Sequence, residues 1–243
     1  MHRLKRIVSA SNQGVAHCVT CGARRQSVCG SVDEPDLDRL ATIATEHHVG
    51  KGQMFIEQGQ PATEFFNVTA GTAKLFKLLP DGRQQTIGFA GVGHFLGLAV
   101  SQDYAFSAEA IEPLQLCRFP RAKLREVLDD LPMLEQRLLQ TACDELVTAQ
   151  EQMLLLGRKT APERVASFLI AQDHGATSCH DPVDRIALPM TRAEIADYLG
   201  LTIETISRML SRFKADKRIA TPSSHAIVIL DRAWLEALAA GFN

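Results

Sequence analysis

Three cysteines crowd the stretch HCVTCGARRQSVC: Cys18 and Cys21 form a C-x2-C pair, and Cys29 comes after seven intervening residues. A thiolate is a soft anionic ligand, so this spacing points to zinc or to an iron–sulfur cluster. Three thiolates leave either centre one ligand short. For zinc, His17, His47 or His48 could supply the fourth. A thioredoxin-like redox pair would sit in a βαβ unit, and no such pattern surrounds Cys18. On ligand type alone, zinc and iron–sulfur stand level.

A second constellation lies near the other end, in IALPMTRAEIADYLGLTIETISRMLSRFKADKRI. One helix, roughly Thr191 to Leu199, would bury Ile195, Ala196 and Leu199, stopping at Gly200. Another would start near Thr202 with Ile206, Met209 and Leu210 inward. Two short helices joined through glycine form a helix-turn-helix, whose second helix enters the major groove of DNA. Glu204, Ser207 and Arg208 share its outward face and suit base edges: Arg208 a guanine, Glu204 a cytosine amino group, Ser207 a neighbouring thymine. Thr191, Thr202, Arg212 and Lys214 are expected on the phosphate backbone. The local basic excess, with Lys217 and Arg218, is hidden by a whole-chain net charge of −2. RIATPSSHAIVILDRAWL then predicts two wing strands around Pro-Ser-Ser and a terminal helix.

These groups need elements to hold them. The 243 residues, 46% hydrophobic and 22% charged, suit an ordinary globular chain of one large domain or two small ones. The opening MHRLKRIVSASNQ lacks the apolar run of a secretory signal, and no stretch is apolar enough to span a bilayer. A cytoplasmic protein is expected, where clustered cysteines favour metal or redox roles over structural disulfides. SVDEPDLDRLATIATEHHV, with Leu37, Leu40 and Ile43 at helical spacing, reads as a short helix. From Lys51 to about Pro120, β-rich runs punctuated by glycines predict a small β-roll, with Leu79-Pro80-Asp81-Gly82 a hairpin turn.

The next section is helical. Leu139, Ala142, Leu146, Ala149, Met153 and Leu156 step by 3, 4, 3, 4, 3, a seam suited to a two-helix coiled coil. Self-association is expected over packing on its own domain, because the seam is narrow and its flanks polar. Asp144, Glu145 and Glu151 on the same helix would poise that association near balance. Gly157 to Lys159 reads as a hinge, and Thr160-Ala-Pro-Glu163 as a capping box opening the next helix.

The order of β-roll, heptad helix and winged helix-turn-helix resembles the CRP/FNR family of bacterial transcription regulators. LTIETISR, Leu201 to Arg208, is similar to the recognition helix of its FNR branch. The resemblance covers nearly the whole chain and implies an α+β fold. Its parts are an arm over 1–30, a cyclic-nucleotide-binding-like β-roll (a double-stranded β-helix) over 31–122, a dimerisation helix over 123–159 and a DNA-binding domain over 160–243. In the nucleotide-sensing branch, the run GVGHFLGLAVSQDYAFSAEAIEPLQLC would carry a glutamate and an arginine. Here it has no arginine between Arg83 and Arg118, so no cyclic nucleotide is expected. In the FNR branch, a cysteine placed like Cys117 joins three N-terminal ones on a [4Fe–4S] cluster. The resemblance thus implies the ligand set Cys18, Cys21, Cys29 and Cys117, with Cys143 and Cys179 incidental. It further implies an oxygen-responsive activator, not an enzyme, that dimerises without oxygen, engages RNA polymerase and binds TTGAT-N4-ATCAA-like sites. A regulator of the same fold with another ligand, and with zinc or redox thiols at the cysteines, is the competing reading.

Overall fold

The computed structural model describes residues 18–98, 102–175 and 185–242, so His17 and Cys179 lie outside the described residues. Contacts divide the chain into two compact units, Met1–Lys74 with Phe89–Asp144, and Leu75–Gly88 with Glu145–Asn243. Beyond the arm, α1 (Glu34–Ile43) has Pro35 in its first turn and Leu37 and Leu40 buried. It stops short of TEHHV, which the sequence reads with the helix but which pairs as a strand instead. Eight strands come next: β1 (Thr45–Val49), β2 (Met54–Ile56), β3 (Glu64–Ala70), β4 (Ala73–Leu78), β5 (Gln84–Ala90), β6 (Phe95–Leu96), β7 (Ser107–Ala110) and β8 (Leu114–Pro120). They form two four-stranded sheets, ordered β1-β8-β3-β6 and β2-β7-β4-β5. The predicted Leu79–Gly82 turn joins β4 to β5, with Gly82 donating to the Leu79 carbonyl at 2.9 Å.

Strand β8 presents two chemically distinct faces. It pairs antiparallel with β1 and β3, so residues directly opposite share a face. Leu114, Leu116 and Arg118 line up with Val49, His47 and Thr45 on the side between the sheets. Cys117 and Phe119 point the other way, where Phe119 joins Phe65, Phe95, Leu37 and Leu40 in an apolar cluster. Two-residue alternation sets this sorting.

After α2 (Arg121–Leu128) the chain breaks and restarts as α3 (Pro132–Arg158), with proline at its head, where its missing N–H costs nothing. Leu131, Leu134 and Leu138 pack into the same apolar cluster. At 27 residues α3 spans about 40 Å. The predicted hinge is shorter than expected: Gly157 and Arg158 remain helical, and the chain turns at Lys159 and Thr160. Arg164 explains where the break falls. From α4 (Ala161–Gly175) it donates at 2.9 Å to the carbonyls of Leu156 and Lys159, and it also reaches Leu199 at 2.9 Å and Gly200 at 3.3 Å. One guanidinium satisfies the orphaned carbonyls of two helix ends.

The remainder is β9 (Arg185–Ala187), α5 (Arg192–Leu199), α6 (Ile203–Ala215), β10 (Ile219–Ser223), β11 (Ala226–Ile229) and α7 (Arg232–Ala239). The wing has three strands, ordered β10-β11-β9, one more than the sequence predicts. Ile195, Ala196 and Leu199 on α5 are buried, as are Ile206, Met209, Leu210 and Phe213 on α6, matching the predicted pattern with one addition. Gly200 sits at φ 60°, ψ 42°, a left-handed helix cap that glycine adopts without steric cost. Among the described residues no helix is long and apolar enough to cross a membrane.

Candidate metal centre and nucleic-acid interface

The arm carrying the first three thiols is built from two 3-10 turns, Arg24–Gln26 and Val28–Ser31. Ser27 joins them: its hydroxyl donates to the Arg24 carbonyl at 3.1 Å and accepts from the Cys29 N–H at 3.3 Å. Arg24 closes the loop through a 2.9 Å bond to the Val32 carbonyl. Val28 and Val32 are buried in the apolar cluster, and Cys29 and Cys117 pack against it. The arm thereby reaches the outer face of β8, and all four predicted ligands come into one electrostatic neighbourhood.

The thiols feel one another. Burial pushes Cys117 up to about 12, and negative charge on Cys29, Cys21, Cys18 and Glu46 also acts to raise it. Cys29 stands at about 11, raised by burial and then by Cys18 and Cys21, against lowering by its Ser27 hydrogen bond and by Arg24. Cys18 is likewise raised by burial and by Cys21, and lowered by Arg24. Such thiols stay protonated at neutral pH unless a cationic centre stabilises their anions. Among the described residues, no group of three or more His, Cys, Asp or Glu side chains is gathered so as to hold a single metal ion. His47 lines the space between the sheets, on the other face from Cys117, and His48 pairs with Glu46 at 3.3 Å. Cys143 is exposed on α3.

Gly93 is a positioning residue that the sequence alone does not single out. At φ +89°, it lies so near the arm that a Cβ would stand 2.7 Å from the Gln26 carbonyl oxygen. Gly93→Ala is therefore expected to unseat the arm, adding backbone strain of about 1–3 kcal/mol. In metal-free protein, Cys29 should then react with iodoacetamide several times faster than in the parent. An unchanged rate would mean that the arm tolerates the extra carbon where it is.

On the second unit, the groups expected to read bases are all exposed: Glu204, Ser207 and Arg208 project from α6. Thr202 caps α6 by accepting from the Thr205 N–H at 3.2 Å, and the Glu204 backbone together with the Thr202 side chain lowers the Glu204 pKa. Arg208 leans on Thr205 Oγ1 at 3.5 Å, a weak contact that leaves its fork free to turn outward. Thr191 and Glu194 form a full capping box at α5. The hydroxyls of Thr191 and Thr202 are thus engaged in capping. Arg212 makes an exposed 3.7 Å pair with Asp216, and Lys214 is exposed.

The seam residues project from α3. Leu139, Leu146 and Met153 are 66%, 58% and 65% exposed, Ala149 and Leu156 are exposed, and Ala142 is half-buried. Val147 and Leu154, beside the seam, are exposed as well, widening the apolar strip beyond the predicted six.

Residues 163–238 match the Crp-like helix-turn-helix domain, and residues 46–130 match the cyclic nucleotide-binding domain. The nitrogen fixation regulation protein FixK of Bradyrhizobium diazoefficiens is 39% identical, over 92% of this chain and 94% of its own. The transcriptional activator FnrL of Cereibacter sphaeroides is 37% identical over 90% of each, and the activator Anr of Pseudomonas aeruginosa is 33% identical over 93% of each. The solved structure of FixK2 from Bradyrhizobium japonicum superposes with a TM-score of 0.75 at 35% identity, covering 81% of this chain and 97% of that one. The chain belongs to the CRP/FNR family of DNA-binding transcription regulators. Its relatives of the FixK, FnrL and Anr type are regulators rather than enzymes.

Proposed function

We propose that this regulator responds to oxygen through a [4Fe–4S] cluster on Cys18, Cys21, Cys29 and Cys117. It binds two-fold TTGAT-N4-ATCAA-like sites as a dimer formed when oxygen is absent, and activates through RNA polymerase. The observation that carries this reading is that Cys29 of the arm and Cys117 of β8 pack against one apolar cluster, with Cys18 and Cys21 near enough for their charge to raise the Cys117 pKa. Four thiolates are the donor set of a cubane cluster, and Cys18, Cys21, Cys29 and Cys117 would supply it. When bound, the cluster would supply four iron–thiolate bonds and reactivity toward oxygen.

The chain's own residues connect that site to dimerisation. Val28 and Cys29 of the arm touch the same cavity as Leu134 and Leu138 of α3. The next residue, Leu139, opens the seam. A seated arm braces the root of the dimer helix, and a released arm uncovers apolar surface there. Nucleotide binding is disfavoured by composition, since neither arginine nor lysine occurs between Arg83 and Arg118.

An anaerobic absorption spectrum with iron and acid-labile sulfide analysis tests the cofactor. A brown chromophore that bleaches in air, with iron and sulfide in equal amounts, is the expected result, and zinc without sulfide overturns the proposal. DNA reading is tested by binding-site selection on air-free protein. Arg208→Ala should cost on the order of 1–3 kcal/mol and relax the preference at one guanine. Lys214→Ala should weaken binding to all sequences alike and flatten the salt dependence. An unchanged consensus in Arg208→Ala and Glu204→Ala would mean that another element reads the bases.

A further inference from the structure

On the face of β8 away from the cysteines, residues of β1, β2, β3 and β8 line an open cavity of about 450 Å³. That volume suits a small molecule. The floor is apolar: Phe66 is buried, and Phe55 meets it edge to face at 5.4 Å. The wall carries Arg118 and Glu64, with the imidazoles of His47 and His48 beside them. Arg118 Nε stands 3.3 Å from Glu64 Oε1 and donates to Thr45 Oγ1 at 3.3 Å. Both contacts use Nε, so the two Nη groups make no bond among the described residues, and Glu64 keeps its second oxygen. A guanidinium with both Nη groups open is a fork for a carboxylate.

We infer that this cavity binds a free apolar α-amino acid. The carboxylate takes the Arg118 Nη fork, the ammonium takes the open oxygen of Glu64, and the side chain lies on Phe55 and Phe66. A zwitterion is the match because the wall is itself a plus–minus pair. A ligand bearing only a carboxylate sets its charge beside Glu64, and one bearing only an ammonium sets its charge beside Arg118, with no opposite charge of its own to offset the repulsion. The existing pair is partly exposed and contributes little, so sharing it with a ligand sacrifices little. The cysteines take no part, since they lie on the opposite face of the strand.

Titration calorimetry on the full-length protein with L-phenylalanine and L-leucine tests it, alongside two truncated probes. The amide of phenylalanine lacks the carboxylate, and 3-phenylpropanoate lacks the ammonium. At least one amino acid should bind, and each truncated probe should bind roughly ten- to hundredfold more weakly than phenylalanine. Glu64→Gln should abolish the preference for phenylalanine over 3-phenylpropanoate, and Arg118→Met should abolish binding. The probe series needs no variant, so a folding defect in either substitution leaves the test intact. No heat from either amino acid at millimolar concentration overturns the assignment, as does equal affinity for phenylalanine and its amide.

Discussion

Under the proposed cluster ligation, serine in place of Cys117 is expected to remove the iron and sulfide completely while leaving the fold in place. The oxygen replaces sulfur at nearly the same size, so the apolar cluster around Phe119, Phe65 and Phe95 keeps its packing. What is lost is the ability to become a soft anion. The Cys117 thiol already stands at about 12 through burial and the neighbouring thiols, and a buried hydroxyl is harder still to ionise. Iron and sulfide should fall to background with the thermal midpoint little changed. DNA affinity without oxygen should drop to that of the air-exposed parent. Cys143→Ser, exposed on α3, should behave as the parent. Full retention of iron and sulfide in Cys117→Ser would move the fourth ligand elsewhere.

The second large effect is expected from Leu146→Asp. Leu146 is 58% exposed in the single chain, a loss that a partner helix would recover. Burying such a leucine contributes about 1.5–3 kcal/mol. Two-fold symmetry counts it twice, and the substitution also sets two carboxylates against each other in the seam. Dimer dissociation should rise by roughly a hundred- to ten-thousandfold. Sedimentation of anaerobic protein at micromolar concentration should then show monomer, and DNA binding should fall with it because two half-sites need two recognition helices. A persistent dimer would make the strip a packing face of another kind.

The elements best legible in the sequence are those whose chemistry is local. Thr160 and Glu163 announce the start of α4 three residues apart, the Glu163 carboxylate accepting from the Thr160 N–H at 2.8 Å. Gly200 marks the end of α5, and the apolar spacing of α5 and α6 names their buried faces. Strands β3, β4, β5 and β8 stand out as β-rich runs between glycines. The less legible features depend on distant partners. Glycine at 157 suggests a hinge, yet the helix continues to Arg158, because its end is set by Arg164 collecting carbonyls from Leu156 and Lys159. TEHHV, β1, carries two histidines and shows little strand pattern, and β8 recruits it through pairing. The proposed ligand set is only half legible: spacing singles out Cys18, Cys21 and Cys29, while Cys117 enters through family likeness. That Gly93 supports the arm is invisible until a turn between β5 and β6 meets Gln26 in space.

Cys117 and Arg118 are chain neighbours that serve opposite chambers, and only the pleat of β8 keeps them apart. That places a constraint on length rather than on letters. One residue inserted ahead of them within β8 would rotate every tenant of the strand beyond it to the other side. A guanidinium would arrive among Phe65, Phe95 and the arm thiols, and a sulfhydryl would arrive at the cavity wall beside Glu64. Point changes in β8 can be absorbed one position at a time, whereas a single insertion or deletion miswires both chambers at once. In descent, the residue count of this strand should therefore hold steadier than most of its side chains, and length variation should be relegated to turns such as Leu79–Gly82.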